Sequence, residues 1–329
     1  MNRDPLQERA TKLIKPLIPP DSEERVKRAF KQWNQIVRDH IRNETALKLA
    51  DGEGRQSVQV KVENGFPVSL AELIDGRHDP VLWRLIIGQP RLGGIVDGLN
   101  FLLDDWPAFE AWQHLPEVAK NGGDSLTRTR DIVNALQKAA LKEKVQEELK
   151  KINEDILGAY HFPADRPSSV SLYWMAIAMV AAMIEVRIED LTVVVLAHEL
   201  AHGYTHIGRD IDGHQWSDKA FGECDLGIVE GLAQFYTEVV TEKIASRTPG
   251  PKQAYERLLK LQGGPYLAHR EWLEDNHRDR GEAVRFTMVA VRGQGETAYE
   301  EWLKIMNTAS TSLRRGTPQK PEQEGLFES

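Results

Sequence analysis

Residues Val193–Gly208 read "VVVLAHELAHGYTHIG". The first half of this stretch is apolar, and the second half holds three of the chain's ten histidines. Leu191, Val193, Val194, Val195 and Leu196 lead into Ala197, Leu200 and Ala201 without a glycine or proline. Such a run predicts a buried helix over residues 190–206. Asp190 stands where it can cap the N-terminus. The four-residue step from His198 to His202 sets both imidazoles on one face, one turn apart.

Two imidazoles in that register can grip one ion from the same side, at roughly 2.0–2.1 Å for zinc. Glu199 lies about 100° round the helix from His198. It is placed to take a proton from a metal-bound water rather than to ligate the metal. From this composition the pattern HExxH arises by chance roughly 0.03 times in a chain of this length. The competing reading, a solvated helix with coincidental histidines, conflicts with the apolar run that leads into the motif.

A catalytic zinc needs a third protein ligand and an open position. Downstream, "FGECDLGIVEGLAQFYTEVV" covers Phe221–Val240. Ile228, Leu232, Phe235 and Val239 step by four, three and four, a helical apolar stripe. Glu230 sits early on that helix, beside Gly231 and Ala233, small residues that let another element approach. Glu223, Asp225 and His214 remain as alternatives. His206 lies two turns from His198, about 12 Å along a helix, too far to share its ion unless the helix breaks at Gly203. Asp212 and His214, in "DIDGHQW", read more simply as a polar turn.

The motifs "HELAH" (His198–His202) and "EGLAQ" (Glu230–Gln234) together resemble the gluzincin group of zinc metallopeptidases. The resemblance covers residues 190–240. It implies a zincin-like catalytic core of packed helices, one Zn2+ held by His198, His202 and Glu230, and Glu199 as general base. Many members carry an aspartate one turn after the ligand glutamate, where it orients a zinc histidine. Here that position is Gln234, which supports an imidazole less strongly than a carboxylate. Asp225 or Glu238 stand as substitutes. Candidates for the donor that stabilises the developing oxyanion are Tyr204, Tyr236, Tyr266 and His269. Arg285 and Arg292 are weighed as substrate-carboxylate binders against ordinary surface charges. Cys224 reads as a buried structural thiol.

Outward from this region the chain is also helical. Residues 22–50 carry Val26, Phe30, Trp33, Ile36 and Val37 at helical steps. Val58, Val60 and Val62 alternate with polar residues before Asn64-Gly65, which predicts a small hairpin. Residues 80–119 read as short helices interrupted by prolines, and 125–157 as strongly helical. "GAYHFPADRPSS" (Gly158–Ser169) breaks the pattern. Further helices are expected over 170–184, 225–245, 252–275, 282–292 and 296–314. The expected class is mainly α with a small β component (α+β). An N-terminal helical region with the hairpin spans 1–157, a metallopeptidase domain 158–315, and a disordered polar tail 316–329.

Bulk properties narrow the function. The 329 residues allow a sizeable core. A net charge of -8 argues against nucleic acid as the partner. A single cysteine forbids an internal disulfide, and no apolar run reaches bilayer length, so a cytoplasmic protein without membrane attachment is expected. The expected function is hydrolysis of peptide bonds in a peptide or protein substrate through a zinc-bound water. The alternatives are a zinc hydrolase of a non-peptide amide and a non-catalytic zinc-containing regulatory protein.

Overall fold

The computed structural model describes residues 5–49, 57–111, 119, 122–151, 156–162, 166–272, 280–292 and 297–316. The first half holds α1 (Pro5–Ile14), α2 (Ser22–Thr45), β1 (Gln59–Glu63), α3 (Val68–Gly76), α4 (Pro80–Asp104), α5 (Trp106–Ala111), α6 (Gly122–Lys142) and α7 (Val145–Lys151). Then come β2 (Gly158–His161), β3 (Ser169–Tyr173), α8 (Trp174–Met183), α9 (Ile188–Ile207), α10 (Asp218–Gly222) and α11 (Leu226–Ala245). The last elements are α12 (Gly250–Leu259), a 3-10 helix over Gly264–Glu271, α13 (Arg280–Arg292) and α14 (Tyr299–Gly316). The molecule is mainly helical with one small three-stranded sheet. The polar tail expected over 316–329 lies outside the described residues beyond Gly316.

α9 is the central element. All of its residues except Glu189 are buried, which a helix without a polar face requires. α2, α8, α11, α12, β2 and β3 pack around it. The helix begins at Ile188, with Arg187 at the N-cap, so Asp190 lies in the first turn and not at the cap. A carboxylate there still complements the positive end of the helix. It also rests against Gly250, which leaves no room for a side chain. At the other end, Arg292 donates from Nη2 to the carbonyls of His206 (3.4 Å), Gly208 and His214 (3.4 Å). Carbonyls of a last helical turn have no partner within the helix. Arg292 is therefore buried as a helix clamp, neither a surface charge nor a substrate binder.

The sheet order is β1-β3-β2, with β1 parallel and β2 antiparallel to β3. The hairpin expected across Asn64-Gly65 is absent. The chain does turn there, with Gly65 at φ 108°, but it enters α3 through Phe66-Pro67. The Gln7 side chain of α1 accepts from Phe66 N–H (2.9 Å) and donates to Phe66 C=O (2.7 Å). Both backbone groups are thus taken by α1. The sheet joins residues 59–63 to residues 158–173, so it spans the boundary expected near 158.

Three other expectations change. Ser169–Tyr173 is a strand and not the start of a helix, with Val170 and Leu172 fully buried. α4 is one helix with Pro90 inside it, instead of several short ones; α6 packs against it. The helix expected over 252–275 ends at Leu259. Gly264, at φ 53°, then redirects the chain into the 3-10 helix. No helix among the described residues is long and apolar enough to cross a membrane.

Candidate metal centre

Two helices bring the key side chains together. α9 presents His198, Glu199 and His202 from a fully buried face. α11 starts at Asp225, whose carboxylate caps it by accepting from Gly227 N–H at 2.7 Å. That cap starts the helix so that its second turn brings Glu230 against the histidine pair. Next to Glu230, Gly231 lies against the Trp272 ring with no space for a Cβ, so the 3-10 segment settles directly on α11.

The three ligand atoms form a small triangle. His198 Nε2 and His202 Nε2 are 3.2 Å apart. Glu230 Oε2 is 3.2 Å from His198 Nε2 and 3.5 Å from His202 Nε2. A tetrahedral ion with bonds of roughly 2.0–2.1 Å separates its ligands by about 3.3–3.4 Å. The triangle therefore has the dimensions of one tetrahedral face. Glu230 Oε2 is buried and makes no aligned hydrogen bond, although two imidazole nitrogens lie close by. A buried carboxylate oxygen left in that state is costly, and a cation shared with the two imidazoles relieves it. Burial would raise the Glu230 carboxyl, but the imidazoles of His202 and His198 hold it below the usual carboxylate range. The donor set of two nitrogens and one oxygen suits zinc.

Glu199 is 1% exposed. Gly158, the first residue of β2, lies so close that a Cβ there would come within 2.6 Å of Glu199 Oε1. β2 therefore holds the carboxylate in place through an absent side chain. A cavity of about 80 Å³ is lined by Glu199 and His198 together with Val180, Val194, Val195 and Leu258. That is room for several waters or one apolar side chain. Tyr266, on the 3-10 helix, lines the same cavity, and its ring lies 6.0 Å from the His198 ring.

Of the four tyrosine and histidine candidates, Tyr266 is the one at this centre. Tyr236 is buried with its hydroxyl 4.0 Å from Met288 Sδ. Tyr204 is buried, with the charge of Arg38 acting on its phenol. His269 is fully buried, its Nε2 3.0 Å from the Tyr255 hydroxyl. The alternative ligands are also placed elsewhere. His206 Nδ1 meets the Tyr160 hydroxyl at 3.0 Å, and its Nε2 lies 3.3 Å from Asp218 Oδ1. His214 and Asp212 cluster with Asp210 in the loop after α9. Glu223 is exposed at the end of α10, and Asp225 is spent on its cap. Gln234 donates to Gln262 Oε1 at 3.0 Å. Glu238 is paired with Arg270 (3.1 Å) and Arg280 (3.6 Å). Cys224 is buried.

Sequence reasoning missed β2, Gly158 and the cavity. One signal was available: Gly158 opens the run Ala159-Tyr160-His161-Phe162, in which β-favouring aromatics alternate. Compared with known proteins, the chain matches no family model, no curated protein and no solved structure.

Proposed function

We propose that this chain is a single-zinc metallopeptidase with a zincin-like core, in which α9 and α11 supply the ligands. The observation that carries the reading is the triangle of His198, His202 and Glu230, sized for one tetrahedral ion, with Glu199 beside it at a cavity. A purely structural zinc normally closes with four protein ligands; the cluster offers three among the described residues.

Zinc, when bound, supplies Lewis acidity to a substrate carbonyl and makes water a better acid. Glu199 takes the proton of the attacking water at its carboxylate and returns it to the leaving amine. Gly158 fixes where that carboxylate sits. Tyr266 donates its hydroxyl to the oxygen that gains charge. β2 is one of the two edge strands of the sheet, and an extended peptide adds to such an edge through main-chain hydrogen bonds. The apolar cavity receives the side chain next to the scissile bond.

The test is cleavage of a mixed peptide library by the zinc-loaded chain, read by mass spectrometry, beside Glu199→Gln. The wild type is expected to cleave and to stop when a chelator is added. Glu199→Gln is expected to keep its zinc and lose about 10²–10⁴-fold in rate. A fully active Glu199→Gln overturns the assignment of the base. Cleavage of non-peptide amides alone overturns the peptidase reading while leaving the centre intact.

A further inference from the structure

We propose that a second pocket, between α2, α4 and α8, binds a small amphipathic anion: a carboxylate or phosphate head on an aliphatic body. The pocket measures about 370 Å³ and lies away from the metal centre. Ile188, at the start of α9, lines it. His198 is ten residues further along that helix, about 15 Å at 1.5 Å per residue. The inference therefore stands apart from the peptidase reading.

The space exists because its walls are small. Ala178, Ala181 and Ala182 of α8 form an apolar floor. On α4, Arg84 and Arg91 line the pocket seven residues apart, two turns along the same side. Gly88 lies between them, and a Cβ there would touch nothing within 4 Å. A bare stretch of helix thus separates two exposed guanidiniums.

Three arginines line this pocket. Of these, Arg25 is held by both oxygens of Glu189 at 2.8 Å and is neutralised. Arg84 and Arg91 enter no ion pair among the described residues. Two guanidiniums facing one cavity, without an ion pair among the described residues, stand out in a chain of net charge -8. Guanidinium presents a planar fork that matches carboxylate and phosphate oxygens. The alanine floor beneath makes a bare inorganic anion a poor fit. Each methylene laid on it is expected to raise affinity about fourfold.

The experiment is calorimetric titration of the full chain with octanoate, octyl phosphate, inorganic phosphate and octyltrimethylammonium. One-to-one binding of octanoate or octyl phosphate is expected, at least about tenfold tighter than inorganic phosphate; the preferred one of the two identifies the head group. The double substitution Arg84→Ala and Arg91→Ala, on exposed side chains, is expected to weaken binding by at least about tenfold with unchanged melting. Ala182→Phe is expected to abolish binding by filling the floor with both charges in place. No binding of either octyl anion, equal binding of the octyl cation, or binding indifferent to the arginine substitutions overturns the proposal. If Ala182→Phe does not fold, the arginine pair and the ligand series still decide.

Discussion

Glu230 is a carboxylate placed where water cannot easily serve it. Its Oε2 is buried and faces two imidazole nitrogens. The two imidazoles favour its charged form, and a cation shared with them would satisfy the buried oxygen that has no aligned hydrogen bond. Glu199 is more deeply buried, at 1% exposure, and is positioned by contact with Gly158. Gly158→Ala is accordingly expected to push that carboxylate aside, lowering kcat by about tenfold or more while zinc content stays at the wild-type level; steady-state kinetics beside metal analysis checks this. Tyr266→Phe removes one hydroxyl at the cavity. The expected loss is about 10²-fold in kcat with KM little changed, and an unchanged kcat would remove Tyr266 from the mechanism. The histidine pair was legible in the sequence because helical period puts residues four apart on one face. Glu230, on a separate helix, was reached through the resemblance of "HELAH" and "EGLAQ" to a metallopeptidase pattern, with Glu223, Asp225 and His214 still open from the residues alone. Gly158 was not legible, because its partner, Glu199, is 41 residues away along the chain.

Elements follow the same rule of local against distant causes. α9 was readable because a continuous apolar run leaves only a buried helix as an option. α11 was readable from its apolar stripe. β1 was recognised as a strand, but its pairing was misjudged. Asn64-Gly65 is a true turn signal, and nothing nearby in sequence shows that Gln7 occupies the backbone of Phe66. Its true neighbour, β3, begins over a hundred residues later. Gln7→Ala should therefore loosen the β1–α3 corner and destabilise the fold by about 1–3 kcal/mol. Chemical denaturation measures this, and an unchanged midpoint would show that Gln7 is not needed there. α4 illustrates the reverse error. Pro90 suggested a break, but the helix continues through it, and α6 and α8 pack against α4.

At the scale of the molecule, buried histidines make the stability of the fold depend on pH. Burial lowers His206 to about 4, against the opposing pull of Asp218 and with Arg292 adding to the shift. Burial lowers His269 to about 3, helped by Arg270 and Arg280. In the unfolded chain both regain ordinary values near 6.5. Between those limits the unfolded state binds more protons than the folded one. Stability therefore rises with pH there, and falls as pH drops from about 6.5 towards 4 and then 3. With metal removed by chelator, the urea midpoint should decline from pH 7 to pH 4.5. His206→Gln is expected to flatten that decline by about 1–3 kcal/mol. A slope identical to the wild type would show that His206 titrates normally.

The same scale holds the main question, whether α9 and α11 meet in order to bind metal. The direct measurement is zinc per chain by elemental mass spectrometry, on the purified wild type and on Glu230→Ala. One zinc per chain in the wild type, falling close to zero in the variant while Asp210→Ala retains it, is the predicted result. A wild type that takes up no zinc, or a Glu230→Ala variant that keeps its full complement, would contradict the account.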